Sequence, residues 1–168
     1  MFNKATRNKL NVRMSIAGPT GSGKSYTSLL VASVLAEGGK VAVIDTERSS
    51  SDRYADEFDF DSCNLTTYSP ESYEKAITSA AQAKYAVLVI DSFSHAWDGQ
   101  DGMLERVDLI AKKGNGNSFQ AWGKANPIFR RLVDMILDYP GHVIITMRSK
   151  MEYVVETNSK GKQAPRKV

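Results

Sequence analysis

A chain of 168 residues, 42% apolar and 24% charged, is long enough to bury one sizeable core, and a single domain is expected. No apolar run approaches the roughly 18 residues of a membrane span and no charged-then-apolar leader opens the chain, so a cytoplasmic protein without membrane contact is expected. Cys63 is the sole cysteine, which excludes an intrachain disulfide and a cysteine-based zinc site, and His95 and His142 are too few for a metal cluster; the net charge of +3 does not by itself name a partner.

Residues 1–11 read as a basic arm carrying Lys4, Arg7 and Lys9 ahead of a single core over 12–168. Residues 12–17 read as a strand, and residues 24–37 as a helix with Leu29, Leu30, Val31 and Val34 facing inward. Between them stands Gly18-Pro19-Thr20-Gly21-Ser22-Gly23-Lys24-Ser25, which fits the phosphate-loop pattern at every fixed position. Glycines at 18, 21 and 23 let the backbone turn its N–H groups inward around phosphates. Lys24 is expected between the β- and γ-phosphates and Ser25 on Mg2+, with the helix N-terminus aimed at the same charge. ATP with magnesium is the expected ligand, and Tyr26 directly follows the loop.

Residues 41–44 form an unbroken apolar run ending at Asp45, the pattern of a strand buried on both faces. A helical turn over 53–58 and a short strand over 64–68 are expected next. Ser69-Pro70-Glu71 marks a helix start, with Tyr73, Ile77, Ala80 and Ala81 on one face. Residues 85–90 are the most apolar stretch and the best central strand, closing on Asp91. A loop over 92–102, a helix over 103–113 and a glycine-asparagine break over 114–117 follow. Asn126-Pro127 is read as dividing the next helical stretch in two, before a strand over 143–147 that leads to Arg148. Strands alternating with helices predict an α/β fold of three layers, a mostly parallel sheet with ligands at the carboxyl ends of its strands.

Asp91 is placed to hold the magnesium ion with Ser25. Glu47, just past the second strand, is the candidate base for an attacking water, although spacing alone serves equally for a solvated loop acid. Arg148 is the candidate contact to the γ-phosphate, with a surface arginine as the alternative. For Trp97 core packing is the better reading, and Trp122 suits a buried helical stripe or a stacking face for a base. The C-terminal end gathers Lys150, Lys160, Lys162, Arg166 and Lys167, and residues 153–155 with a 158–161 turn are read as a hairpin.

The stretch from Val43 through Ile-Asp-Thr-Glu-Arg to Tyr54 resembles the RecA recombinase segment in which a tyrosine follows the glutamate by seven residues. That resemblance implies that Glu47 is the hydrolytic glutamate and that Tyr54 stacks on adenine; where the family keeps an aspartate, Ser51 stands here. A wider resemblance, carried by Gly-Pro-Thr-Gly-Ser-Gly-Lys-Ser-Tyr, Ile-Asp-Ser-Phe-Ser-His-Ala-Trp and Ile-Thr-Met-Arg-Ser-Lys-Met-Glu-Tyr, is to phage-encoded RecA-like core ATPases. It implies a RecA-like P-loop core and ATP hydrolysis coupled to single-stranded DNA through the basic C-terminal end. It also implies homo-oligomers with nucleotide or DNA, a strand-annealing or single-strand-binding protein as partner, and further strands beyond the Pro165 region. A small-molecule kinase and a non-hydrolysing nucleotide-dependent scaffold are the alternatives.

Overall fold

The structure, a computed structural model, describes residues 10–114 and 116–149 and the backbone of residues 153–157 and 163–167. Five parallel strands, β1 (Arg13–Gly18), β2 (Val41–Asp45), β3 (Asp61–Asn64), β4 (Val87–Asp91) and β5 (His142–Arg148), form one sheet in the order β1-β5-β4-β2-β3. The expected central strand is central, and β5 lies between the phosphate-loop strand and the strand that ends at Asp91.

Alternation along the strands sorts the core onto two faces, as a period of two requires. Val41, Val43, Val87, Val89 and Ile144 pack with Leu29, Ala32 and Ala36 of the segment around α1 (Lys24–Leu35). Ala42, Ile44, Leu88, Ile90 and Val143 pack with Tyr73, Ala76 and Ile77 of α2 (Pro70–Gln82), and with Leu132 and Ile136 of the last long helix. Every residue of β2 and β4 is buried. Helices cover both faces, which gives the three-layer α/β arrangement of a P-loop fold.

Local chemistry starts and stops these elements. Ser69 caps α2 by accepting the Ser72 N–H, with Pro70 in the first turn. Glu71 of α2 forms a bidentate pair with Arg106 of α4 (Met103–Lys113), and Glu74 forms another with Arg131 of α5 (Ser118–Leu137). Burial raises the Glu71 carboxyl, but the hydrogen bonds and charge of Arg106 outweigh it and hold the group below the usual carboxylate range.

Four expectations are corrected. On α1, Leu30 and Val34 are exposed at 47% and 72%, because the helix sits on the sheet through Ser28, Leu29 and Ala32, whose small partners permit a close approach. The third strand is Asp61–Asn64 rather than 64–68; all four of its residues are exposed, so backbone pairing to β2 makes it a strand without an apolar pattern. Residues 92–102 contain a short helix, α3 (Ser94–Asp98), too short to show a period. Asn126-Pro127 does not divide the helix: α5 runs through Pro127 on its exposed side, and Gly123, whose carbonyl the proline leaves without an N–H partner, is also exposed to water.

The expected hairpin is present as β6 (Tyr153–Thr157) paired antiparallel with β7 (Gln163–Lys167). Arg166 and Lys167 fall on β7, of which only the backbone is described, while Lys150, Lys160, Lys162 and residues 1–9 of the arm lie outside the described residues. Among the described residues no helix is long and apolar enough to cross a membrane.

Urea denaturation should separate the two helix faces described above. Leu132→Ala, fully buried, is expected to cost about 2 to 5 kcal/mol, while Val34→Ser on α1 stays within about 0.5 kcal/mol of wild type.

Candidate functional site

Parity along the strands decides which side chains meet. Asp45, Asp91, Thr146 and Arg148 stand at the carboxyl ends of β2, β4 and β5, in step with Val43, Val89 and Ile144 and thus on the α1 face. The phosphate loop enters the same face from β1. Gly21 and Gly23 take left-handed backbone angles, φ 79° and 82°, which only glycine adopts freely, and Gly23 is the N-cap of α1 with no side chain covering the helix end. A Cβ at Gly18 would meet Ser22 Oγ at 2.7 Å. Lys24 Nζ donates to the Pro19 carbonyl at 2.8 Å, so the ammonium lies over the loop.

The carboxylate of Asp91, 2% exposed, accepts the Ser25 hydroxyl on one oxygen and the Thr146 hydroxyl on the other. Ser25 and Asp91, expected to share a magnesium ion, are therefore in direct contact. They fit the group: Mg2+ takes hard oxygens and keeps phosphate and water ligands, so one hydroxyl and one carboxylate suffice from the protein. Among the described residues no cluster of three or more histidine, cysteine or acidic side chains is arranged as a metal cage.

Asp45, its register neighbour, does different work. This carboxylate, 1% exposed, accepts the N–H of Glu47 at 2.6 Å, the N–H of Ser51 at 2.8 Å and the Ser51 hydroxyl at 2.5 Å. It folds residues 46–51 into a tight turn in which Arg48 and Ser49 both take left-handed angles, φ 57° and 59°. Such angles cost non-glycine residues about 1 kcal/mol or more each, and the three Asp45 contacts hold them. The turn carries Glu47 to Arg148, whose Nε donates to Glu47 Oε1 at 2.8 Å while Nη2 contacts Oε2. The Glu47 and Arg148 side chains are 20% and 35% exposed, so the bidentate pair is half-sheltered.

Loop, acids and ion pair surround a cavity of about 500 Å3. Of the expected residues, Thr20, Gly21, Gly23, Lys24, Ser25, Glu47, Tyr54, Asp91 and Arg148 line it. Gly18, Pro19 and Ser22 build the loop without lining the cavity. Tyr26 is outside as well: its ring packs edge-on against Tyr54 and Phe58, at 5.7 and 5.3 Å between centroids, and so braces Tyr54. Three residues went unnoticed in the sequence. Ser50 and Arg53 line the cavity, and Thr146 holds Asp91. A polar residue inside the apolar run of β5 was the available signal for Thr146; Arg53, on the 3-10 turn Ser51–Tyr54, gave none beyond its place beside Tyr54.

The other face of the sheet carries a second polar network. Thr46 Oγ1 accepts the Ser92 N–H at 2.8 Å and lies 2.7 Å from His95 Nδ1. Tyr68 donates to the Thr46 carbonyl and Tyr73 to the Ser92 carbonyl, both at 3.1 Å. Burial pushes the Tyr73 phenol well above its ordinary value, which keeps it a donor. Trp97 stacks on Trp122 at 5.4 Å between centroids, so the two tryptophans pack on each other.

The model of one family, described as AAA domain, matches residues 10–167. The chain belongs to the AAA domain family. An AAA domain is a P-loop NTPase domain, so the family brings nucleotide binding, with hydrolysis as the associated chemistry and Mg2+ as the usual metal. No curated protein matches this AAA domain chain.

The Asp45 turn gives a stability test. Asp45→Ala leaves three donors without their acceptor and is expected to lower the urea-derived stability by roughly 3 kcal/mol, whereas Asp52→Ala, exposed on the same segment, shifts it by less than about 0.5 kcal/mol.

Proposed function

We propose that the chain is a RecA-like ATPase core that binds Mg·ATP, hydrolyses it, and couples nucleotide state to single-stranded DNA in phage-type recombination. The observation that carries the hydrolytic half is the Glu47–Arg148 pair on the wall of the phosphate-loop cavity, beside the Ser25–Asp91 contact.

The chemistry follows from charge. Backbone N–H groups of residues 18–25 and the Lys24 ammonium neutralise the phosphates, and Ser25 with Asp91 holds the magnesium ion, which supplies further charge neutralisation when bound. Tyr54 offers its ring to the base, braced by Tyr26, and Arg53 brings a further cation to the cavity. Glu47 accepts a hydrogen bond from the attacking water and orients it toward the γ-phosphate. Both oxygens of that carboxylate are engaged by Arg148, so Glu47 serves as base only after the pair opens. A γ-phosphate is a bidentate acceptor that competes for the same guanidinium, which makes the base conditional on the substrate. Arg148 thereby links two events.

The DNA half rests on the resemblance to RecA-like cores and on the hairpin that follows β5, which bears Arg166 and Lys167 in sequence with Lys150, Lys160 and Lys162 beside it. One core over residues 12–168, a homo-oligomer with nucleotide or DNA, and a strand-annealing or single-strand-binding partner complete the reading.

ATP turnover with and without single-stranded DNA tests it, for wild type, Lys24→Ala and Glu47→Gln. DNA should stimulate wild type; Lys24→Ala should lose ATP binding, and Glu47→Gln should bind ATP but turn over about 100-fold more slowly or less. DNA affinity should fall with salt at a log-log slope of about −3 if four phosphates are neutralised. Tight ATP binding without turnover in any condition would replace this reading with a nucleotide-dependent scaffold.

A further inference from the structure

The wall of the phosphate-loop cavity has two parts. Residues of the loop and of the strand ends form one, and the segment that Asp45 folds forms the other through Ser50, Arg53 and Tyr54. In the reading above the first part takes the phosphates and Tyr54 takes the base, so the second part is the nucleoside wall. On that wall Arg53 is exposed and makes no ion pair or hydrogen bond among the described residues. The cation beside the base ring is uncommitted.

The acids of the cavity are not. Glu47 is held by Arg148, and Asp91 accepts from Ser25 and Thr146. Among the described residues no other carboxylate and no asparagine or glutamine side chain lines the cavity. The nucleoside wall therefore carries a free donor-only group and no free acceptor-only group.

That imbalance separates the two purines. A guanidinium donates hydrogen bonds and accepts none. Guanine presents two adjacent acceptors, N7 and O6, whereas adenine presents N7 beside an N6 amino group that is itself a donor. Arg53 can bind both atoms of the guanine edge but only one of the adenine edge, where its second N–H opposes the amino group. The hydroxyls of Ser50 and Tyr54 donate or accept and favour neither base.

We propose that the cavity takes GTP at least as readily as ATP, with Arg53 holding guanine N7 and O6 beside the Tyr54 ring. Arg53 acts here as a specificity residue, not as a phosphate ligand. This inference rests on the nucleotide reading of the cavity and names the substrate class of that same site. Because Arg53 is exposed, water competes for the contact, and its effect falls at the low end for an arginine–guanine pair, about fivefold.

Calorimetric titration of ADP, GDP, IDP and 7-deaza-GDP with Mg2+ into the full chain tests it, in wild type, Arg53→Ala and Arg53→Gln. The diphosphates engage the phosphate loop without turnover. IDP keeps N7 and O6 and lacks only the amino group of guanine, and 7-deaza-GDP lacks the N7 acceptor. Wild type should bind GDP at least as tightly as ADP and IDP as tightly as GDP, with 7-deaza-GDP weaker by about fivefold or more. Arg53→Ala should lower the ratio of GDP to ADP affinity by about fivefold or more, and Arg53→Gln, whose amide pairs with adenine N6 and N7, should move it further toward ADP. Equal losses for ADP and GDP in Arg53→Ala would assign the guanidinium to the phosphates and overturn the inference, as would equal affinities for GDP and 7-deaza-GDP. Wild type that binds ADP and not GDP overturns the guanine inference alone. Wild type that binds none of the diphosphates overturns the nucleotide reading of the cavity, and the inference with it.

Discussion

Two carboxylates buried side by side, Asp45 and Asp91, set the terms for the rest of the site. A charge taken out of water costs several kcal/mol unless donors replace its hydration, and here two such charges end neighbouring strands. Asp91 draws its donors from the phosphate-loop helix and from β5, which ties three separate elements together through Ser25 and Thr146. Asp45 draws its donors from the six residues that follow it, which forces the turn that carries Glu47. Among the described residues no buried side-chain polar atom lacks a partner, so the demand is met in full.

That demand explains why strained backbone appears where it does. Two consecutive non-glycine residues in left-handed geometry are unfavourable, and they occur in the turn held by Asp45, between Glu47 and the 3-10 turn that bears Arg53 and Tyr54. The same turn sends Glu47 to Arg148 and leaves Arg48 exposed to solvent. A flexible loop would average these directions; an acid-clamped one keeps them distinct.

The two faces of the sheet divide the chemistry. Alternation places Asp45, Asp91, Thr146 and Arg148 with the phosphate loop, while Thr46 and Ser92, one residue further along, belong with His95, Tyr68 and Tyr73 on the other side. The phosphate-loop face and the second polar network are thus separated by a single step of the chain. Glu47 and Arg148, at the strand ends, are where the two sides meet.

The phosphate loop was legible from residues alone because its pattern is local: glycines that shape the backbone, a lysine with its ammonium and a serine with its hydroxyl stand within eight positions. The strands 41–45 and 87–91 were legible because burial on both faces leaves an unbroken apolar run, and Ser69-Pro70 because a cap and a fixed φ mark a helix start. The same reasoning missed β3, whose four exposed residues are made a strand by the neighbour they pair with, and misjudged Pro127, which an exposed helix face tolerates. It placed Leu30 and Val34 inward because spacing does not say which stripe of a helix meets the sheet. Glu47 and Arg148 were each singled out, yet 101 residues separate them, and no local pattern records that they form one ion pair. Sequence determined the phosphate-binding chemistry and the alternation of strands and helices, since both arise from near neighbours. Tertiary structure alone decided strand order and the partner of Glu47, because those depend on which distant elements pack side by side.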